Sequence, residues 1–246
     1  MEKFTTQIKV QSYQTNHYGK ASVCSLFQFM LEAAWAHAQV MDWGYDQLQS
    51  QNMLWVLSRM YVEVERYPAW QDTITLNTWS AGTDGVYAYR EFVLENENHD
   101  VLLRANTAWL ILDAESRKIV LLKAHQDTFP RYSGKGVCRE PKRIRPKKST
   151  RQLQYVPVLF SDLDVNKHFN SVKALERVLD DYGIEFLNEH EPASVEINYL
   201  KEGLAGDYLA VASEHLADHK YQSTLVREID QADLSTMVIK WRSRMG

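Results

Sequence analysis

The chain has 246 residues, of which 45% are hydrophobic and 24% charged, and its formal net charge at pH 7 is −4. This composition is typical of a folded globular protein and excludes a disordered or fibrous chain. The length allows one large domain or two small ones. Two cysteines, Cys24 and Cys138, are too few for a disulfide framework or a cysteine-rich metal site.

The amino-terminal stretch MEKFTTQIKVQSYQTNHYG does not resemble a signal or transit peptide, because it has no apolar run after a basic segment. Elsewhere the sequence has no stretch approaching the ~18 consecutive apolar residues that span a bilayer. Sparse cysteines suit a reducing compartment. We therefore expect a cytoplasmic protein that does not associate with membranes.

The first predicted element is a helix over residues 22–38, because Val23, Leu26, Met30 and Ala34 follow helical spacing. Four stretches rich in β-branched and aromatic residues come next, separated by polar turns. They read WVLSRMYVEVER, DTITLNTW, VYAYREFVLE and VLLRANTAWLILD. This order predicts a helix followed by an antiparallel meander.

The second half of the chain repeats this order. Val172, Leu175, Leu179, Tyr182 and Phe186 step along a second predicted helix. Four strand-like stretches follow, with the sequences ASVEINYL, DYLAVASEHL, STLVREI and STMVIKW. The halves also share a local pattern, since VEINYLKEGLAGD parallels MYVEVERYPAWQD. A repeat of roughly 100 residues is too long for a solenoid unit and indicates a duplicated domain.

The two halves are joined by a basic segment. Residues 131–151 contain nine Lys or Arg and one Glu, together with glycines and prolines that are typical of a linker. Tyr132 is its one aromatic residue, so it lacks the stacking series of a nucleic-acid surface, and we expect no nucleic-acid partner. The segment is either a solvated connector or a docking site for an acidic partner.

Five polar residues occupy alternate positions of SDLDVNKHFNS, just ahead of the second predicted helix: Asp162, Asp164, Asn166, His168 and Asn170. In an extended segment alternate side chains point to the same side. We therefore expect these five on one face, with Leu163, Val165 and Phe169 anchoring the other. Asn170 or Ser171 would cap the helix and bring His168 close to the positive end of its dipole.

Three interpretations of this stretch compete. A calcium loop begins D-x-D-x-N, but Lys167 and Lys173 stand where such a loop needs Gly and Glu. A structural turn, in which Asp and Asn satisfy backbone groups, explains any one of the residues but not the whole set as readily. The third interpretation is catalysis by carboxylate, amide and imidazole, which suits acyl transfer or hydrolysis. The chain contains no G-x-S-x-G, P-loop or G-x-G-x-x-G motif.

The stretch SDLDVNKHFNSVKALERVLDD, followed by HEPASVEINYLKEG, resembles the acyl-(acyl carrier protein) thioesterases of plants and bacteria. The signature of that family runs D-L-D-V-N-x-H-x-N-N-V-K before a helix. The first half contributes NMLWVLSRMYVEVERYPAWQDTITLNTWSAG, so the resemblance covers nearly the whole chain. It implies an α+β fold of two tandem hotdog domains, each an antiparallel sheet wrapped around a central helix. We expect an N-terminal domain at 1–130, a basic linker at 131–154 and a catalytic C-terminal domain at 155–246.

The resemblance also implies an activity, namely hydrolysis of the thioester between a fatty acyl chain and the phosphopantetheine arm of acyl carrier protein, without a metal or other cofactor. Carried over position by position, the catalytic residues of the family fall on Asp164, Asn166, His168 and Glu202. The cysteine that follows the glutamate in plant members is replaced here by Gly203, which argues against a cysteine nucleophile.

The first-half counterpart of the motif is predicted to be degenerate. In QTNHYGK, Gln14 and Tyr18 stand two residues before and after Asn16, in the places of the aspartate and the histidine. The N-terminal domain would then shape the acyl pocket, as in the family. Four apolar residues of the first helix could line that pocket or simply belong to the core: Phe27, Phe29, Met30 and Trp35.

Roles follow from the chemistry of the carried-over residues. Asp164 would attack the thioester or activate water, while Asn166 would orient the reacting groups. His168 would stabilise the oxyanion, and Glu202 would orient His168 or activate water. Five basic residues could dock the acidic carrier protein: Lys142, Arg143, Arg145, Lys147 and Lys148.

Two alternatives to this activity stay open. The same scaffold could hydrolyse acyl-coenzyme A, or the chain could be a non-catalytic module that binds acyl carrier protein. The tandem repeat makes the pairing of the two domains internal, so a dimer is not required.

Overall fold

A computed structural model of the chain describes residues 2–127, 129–147 and 152–244. The chain divides into two compact units, residues 1–141 (unit 1) and 142–246 (unit 2). The boundary falls inside the basic segment. In the described part of the chain, every helix is too short or too polar to cross a bilayer.

Unit 1 consists of antiparallel strands and two helices. Its elements are β1 (Phe4–Lys9), α1 (Val23–Val40), α2 (Tyr45–Gln49), β2 (Met53–Val64), β3 (Thr73–Thr83), β4 (Ala88–Glu95), β5 (Val101–Asp113) and β6 (Ile119–Val120), with 3-10 turns at Ser12–Gln14 and Leu122–His125. The strand order is β1-β3-β4-β5-β2, and β6 pairs with β5. The unit is therefore a curled antiparallel sheet with α1 packed on one face.

The helix α1 matches the prediction for residues 22–38 closely. Ser22 is the N-cap, and its Oγ accepts a hydrogen bond from the backbone N–H of Ser25 at 3.0 Å. Leu26, Phe27 and Met30 are fully buried. Burial of each such side chain contributes roughly 1.5–3 kcal/mol to folding.

The predicted meander is only partly right. β3, β4 and β5 are consecutive neighbours, but β2 pairs with β5 instead of β3. Residues 65–72 thus lead the chain across the sheet. Periodicity identifies strands but does not specify which strand each one pairs with, and β1, a half-exposed edge strand with weak apolar alternation, was not predicted at all.

Unit 2 repeats this topology. Its elements are β7 (Val156–Pro157), α3 (Ser171–Asp180), α4 (Ile184–Glu189), β8 (His190–Tyr199), β9 (Tyr208–Ala217), β10 (Lys220–Arg227) and β11 (Asp233–Ser243), with a 3-10 turn at Phe160–Asp162. The strand order is β8-β11-β10-β9-β7. β8 thus pairs with the last strand of its unit, as β2 does, and β7 pairs with β9 as β1 pairs with β3.

The duplication extends to single hydrogen bonds. In unit 1 the backbone N–H of Ala69 donates to Asp72 Oδ2 at 2.8 Å, and in unit 2 that of Leu204 donates to Asp207 Oδ2 at 2.9 Å. These residues occupy the same places in the two stretches that the sequence comparison paired. The predicted domain repeat is therefore present in the fold.

The second helix is shorter than predicted. α3 ends at Asp180, and Gly183 adopts a φ of 78°, which is favourable for glycine and breaks the helix before α4 begins. The apolar spacing nevertheless continues through Tyr182 and Phe186, because both rings pack on Trp241, with centroids 4.8 and 4.9 Å away. The helical spacing of apolar residues in the sequence thus continues past the end of α3, and for this reason the predicted helix was too long.

The basic segment is fixed along its backbone in both units. In unit 1, Tyr132 N–H donates to Ser80 O at 2.8 Å. In unit 2, Ile144 N–H donates to Asn198 Oδ1 at 2.8 Å, and Gln222 donates to the carbonyl of Arg145 at 2.9 Å. Residues 131–147 are therefore not a loosely solvated connector.

Candidate active site

The stretch that the sequence singled out forms a tight hairpin ahead of α3. Leu163 and Phe169 pair across it, and Asp164 N–H donates to His168 O at 2.8 Å. Lys167 lies at the turn with a φ of 64°. The expected extended segment is therefore wrong, and Val165, expected to anchor the apolar face, is 88% exposed. Local side-chain hydrogen bonds override the alternating pattern here.

Asp164 holds this turn with one carboxylate oxygen. Its Oδ1 accepts the backbone N–H groups of Asn166 at 2.9 Å and His168 at 3.0 Å. Its Oδ2 makes no hydrogen bond to any described residue. The carboxylate is thus oriented by two donors while its second oxygen stays available for chemistry.

His168 and Glu202 face each other. Nδ1 of His168 lies 3.6 Å from Oε1 of Glu202, too far for a good hydrogen bond but close enough for an ion pair. The approach is fixed by the backbone, because Phe169 N–H donates to Gly203 O at 2.8 Å and His168 pairs with Leu204. Both side chains are partly exposed, so a substrate can reach them.

Asn166 sits at the exposed tip of the hairpin. Its backbone N–H is bound to Asp164, and its carboxamide makes no hydrogen bond to the described residues. The structure therefore joins Asp164 to the backbone of His168 and the imidazole of His168 to Glu202, and it places Asn166 on the same turn.

Two further polar residues of the motif support the hairpin. Asp162 Oδ2 accepts the N–H of Leu159 at 2.9 Å and Nη2 of Arg177 at 3.0 Å. Asn170 caps α3 by accepting the N–H of Val172 at 2.8 Å. These are structural roles, as the capping prediction for Asn170 anticipated.

An apolar cavity of about 70 Å³ lies within unit 1. Its walls are mostly aromatic, and four of the seven tryptophans of the chain contribute: Trp35, Trp43, Trp55 and Trp109. Of the predicted pocket residues, Trp35 lines this cavity and is 48% exposed, whereas Phe27 and Met30 belong to the core. Phe29 borders a separate groove beside β1.

Sequence reasoning missed most of this cavity. Trp43, Trp55, Trp109 and Phe129 come from different elements, so no helical or strand period connects them. The density of tryptophan in the first half of the chain was the signal that could have indicated an aromatic site.

A buried cation also lines this cavity. Arg90 Nη1 lies 2.7 Å from His37 Nδ1 and donates to Thr78 Oγ1 at 3.2 Å. Burial, and secondarily Arg90, lower the pKa of His37 to about 4, so its Nδ1 is an unprotonated acceptor at neutral pH. Burial lowers the pKa of Arg90 to about 10.

Comparison with known proteins identifies the family. The model of the acyl-ACP thioesterase N-terminal domain matches residues 1–126, and that of the C-terminal domain matches residues 145–243. The chain belongs to the acyl-ACP thioesterase family.

Similar proteins include the oleoyl-acyl carrier protein thioesterase 1, chloroplastic, of Arabidopsis thaliana, 26% identical over 82% of this chain and 59% of that protein. The palmitoyl-acyl carrier protein thioesterase, chloroplastic, of Cuphea hookeriana is 24% identical over 81% of this chain and 51% of that protein. The chain thus spans between half and three fifths of the length of these relatives.

Solved structures show the same fold. An acyl-ACP thioesterase from Bacteroides thetaiotaomicron superposes with a TM-score of 0.89 at 20% identity, covering 98% of both chains. The 12:0-ACP thioesterase from Umbellularia californica superposes with a TM-score of 0.88 at 18% identity, and the match again covers 98% of both chains. The expected hotdog architecture is confirmed.

Unit 1 of this acyl-ACP thioesterase family member carries a matching hairpin without the catalytic residue types. Asn16 Oδ1 accepts the N–H groups of Tyr18 at 3.0 Å and Lys20 at 3.3 Å, as Asp164 does in unit 2. Asn16 is therefore the counterpart of Asp164, and Lys20 that of His168. The predicted alignment, which set Gln14 and Tyr18 in these places, was wrong by two residues.

Gly203 occupies a position where a side chain would not fit. A Cβ there would lie 2.9 Å from Cβ of Phe169 and 3.2 Å from Cδ1 of Leu234. The crowding, not the backbone dihedral, excludes a cysteine at this position in the present packing. The two cysteines of the chain lie elsewhere, and burial together with Glu91 and Glu63 raises the pKa of Cys138 to about 12, so its thiol is a poor nucleophile.

The predicted docking residues are displayed on the fixed part of the basic segment. Lys142, Arg143, Arg145 and Lys147 are exposed. Lys148 lies outside the described residues. Hydrogen bonds hold the backbone near Lys142, Ile144 and Arg145 on side chains of β8 and β10, so the basic side chains project from a fixed segment of unit 2.

Proposed function

We propose that this protein hydrolyses the thioester of a fatty acyl–acyl carrier protein and releases the free fatty acid. The observation that carries the proposal is the meeting of Asp164, His168 and Glu202 ahead of α3. The matching hairpin of unit 1 needs none of these residue types to fold. The relatives, which are named as acyl carrier protein thioesterases, support the same activity.

The geometry suggests a division of labour in the site. Oδ2 of Asp164 either takes a proton from the attacking water or attacks the thioester carbonyl, while Oδ1 stays bound to the turn. In the second case the thiolate leaves, and water then hydrolyses the acyl-aspartate anhydride to free fatty acid and the aspartate carboxylate. Asn166 positions the carbonyl or the water. His168 stabilises the developing oxyanion, and Glu202 orients its imidazole. The thiol leaving group needs little assistance because thiols ionise near pKa ~8.5.

The apolar cavity of unit 1 is the place we propose for the acyl chain. Its tryptophan and phenylalanine walls would bury part of the chain, since a cavity of about 70 Å³ is too small for a whole long hydrocarbon. We propose that the carrier protein, which is acidic, docks on the exposed basic residues between 142 and 147. We propose that the protein acts in the cytoplasm, because both of its cysteines are free, as is usual in a reducing compartment.

The proposal is tested with a panel of acyl carrier protein thioesters of increasing chain length, with free fatty acid as the readout. The wild type should release fatty acid from at least one member, and His168→Ala should abolish release. Lys20→Ala, at the matching position of unit 1, is the control and should retain activity. Faster turnover of acyl-coenzyme A than of every carrier thioester would show that acyl-coenzyme A is the preferred substrate. If neither class of thioester released fatty acid, the protein would be a non-catalytic module that binds acyl carrier protein.

A further inference from the structure

A second cavity, of about 230 Å³, lies on the face of the unit 1 sheet opposite α1. Its floor is a cross-strand row formed by Trp79 on β3, Glu91 on β4 and Asn106 on β5. Its roof is the strap, which we define as residues 131–140. The strap is fixed over the sheet by Val137 N–H, which donates to Glu91 Oε1 at 3.1 Å.

The floor of this cavity has unused acceptor capacity. Asn106 is 2% exposed, and its Oδ1 is a buried atom with no hydrogen-bond partner among the described residues. Its amide nitrogen already donates to Glu91 Oε1 at 3.4 Å, and the buried oxygen lies at the floor without a donor. A buried acceptor without a donor is costly, and native proteins supply a partner or a bound group.

The lining of the site carries two carboxylates and one guanidinium, and the ammonium of Lys3 lies beside it, 4.5 Å from the centroid of the Trp79 ring. Glu91 is 4% exposed, and it accepts from Trp79 Nε1 at 2.9 Å and from the backbone, but no described cation lies within ion-pair distance of it. Glu140 adds a second carboxylate to the lining. Arg131 also lines the cavity, but its stem packs over Gly82. Nearby Cys138 experiences this field, since burial and the carboxylate of Glu91 raise the pKa of its thiol.

The walls suit a compact organic group. Tyr89, Trp79 and Tyr132 surround the acceptors with aromatic surface. The strap approaches the floor closely at Gly136, where an added Cβ would lie 3.0 Å from Glu91 Oε1. Any larger residue would fill the space above the carboxylate.

We propose that this cavity binds a small organic cation with N–H donors, of the primary ammonium class. One N–H would pair with Glu91 and another with Asn106 Oδ1, while the apolar part would contact the aromatic walls. The site is separate from the apolar cavity beneath α1 and does not depend on the proposed hydrolysis.

Isothermal titration calorimetry on the full chain tests the site, with benzylammonium as the probe. Benzyl alcohol, which lacks the charge, and benzyltrimethylammonium, which lacks N–H donors, are the comparison ligands. We expect one saturable site for benzylammonium with an affinity about tenfold or more above that of both comparison ligands. No saturable binding would show that the cavity holds water only, and equal binding of the three ligands would exclude recognition of N–H donors; either result overturns the proposal.

Variants place the binding in this cavity. Glu91→Gln and Asn106→Leu should each lower the affinity for benzylammonium about tenfold or more, and Gly136→Ala should block it by filling the space above Glu91. Glu95→Gln, two pleats along β4, is the matched control and should bind as the wild type does. Circular dichroism checks the fold of each variant. If folded Gly136→Ala and Glu91→Gln bound benzylammonium as tightly as the wild type does, the ligand would bind outside this cavity and the proposed site would be wrong.

Discussion

Asp164 and Asn16 perform the same structural task in the two units. Each accepts two backbone N–H groups with its Oδ1, from the second and fourth residues that follow it, and so closes a turn ahead of the first helix of its unit. A carboxamide is sufficient for the turn. The negative charge and the second oxygen of Asp164 are therefore surplus to folding and point to chemistry.

This relationship predicts that Asp164→Asn folds normally but is inactive. The carboxamide oxygen can accept both N–H groups, as in Asn16, whereas the nucleophilic or basic oxygen is lost. We expect the urea midpoint to stay close to that of the wild type and kcat to fall about 1000-fold or more. A well-folded variant with near-normal kcat would exclude Asp164 from the chemistry.

Gly203 predicts a stability effect. Gly203→Cys places a Cβ 2.9 Å from Phe169 and should lower the free energy of unfolding by about 1–3 kcal/mol without creating a new nucleophile. Urea denaturation measures the loss. Ala205→Cys adds the same thiol at an exposed neighbouring position and should be close to neutral. Equal stability of the two variants would contradict the crowding.

The parts of this fold that depend on local chemistry could be predicted from the sequence. Helical spacing indicated α1, and the motif indicated Asn170 as an N-cap, but its residues were expected in an extended segment and not in a hairpin. The alternating pattern predicted a buried Val165, but this residue is exposed. The side chain of Asp164 accepts a backbone N–H of the segment and folds it into a turn instead of a strand. No local pattern could show that β2 pairs with β5.

The site itself was predictable only in part, since it depends on tertiary contacts. Glu202 was assigned by resemblance, and its approach to His168 results from backbone pairing at Gly203 and Leu204. The aromatic cavity assembles from separate elements, so spacing along α1 identified Trp35 but not Trp109.

His37 predicts a pH dependence of stability. Its pKa in the folded protein is about 4, below the value of about 6.5 in an unfolded chain, so the unfolded state binds the extra proton between these values. The contribution of His37 to the free energy of unfolding is complete above pH 6.5. It is lost as the pH falls towards 4, and the free energy of unfolding decreases by up to about 3 kcal/mol. Urea denaturation from pH 7.5 to 4.5 measures it.

The comparison variant for this effect is His37→Gln, which can still accept from Arg90 but does not titrate. Its stability should change less with pH than that of the wild type over the same window. His17→Gln, at an exposed position, should follow the wild type. Parallel pH curves for the wild type and His37→Gln would refute the role of His37.

The exposed basic residues of unit 2 predict a selective effect on the carrier-linked substrate. The double variant Arg143→Glu with Lys147→Glu should reduce kcat/KM on acyl carrier protein thioesters about tenfold, because both exposed side chains would then repel an acidic partner. Turnover of a small thioester should not change. Added salt should weaken the wild-type reaction with the carrier substrate in the same selective way. The double variant Lys118→Glu with Lys123→Glu, at two exposed positions of unit 1, is the charge-matched control, and an equal loss there would disprove specific docking.

The apolar cavity predicts a shift in chain-length preference. Trp109→Ala removes a large wall residue that hydrogen-bonds within its own strand, through Nε1 to Thr107 Oγ1 at 2.9 Å, and so enlarges the cavity. A few additional methylene groups can then be buried, each contributing about 0.8 kcal/mol. The ratio of kcat/KM for longer over shorter acyl chains should rise about tenfold. Trp70→Ala removes an exposed tryptophan and should leave the ratio unchanged, so a ratio that moves equally in both variants, or in neither, would exclude this cavity as the acyl site.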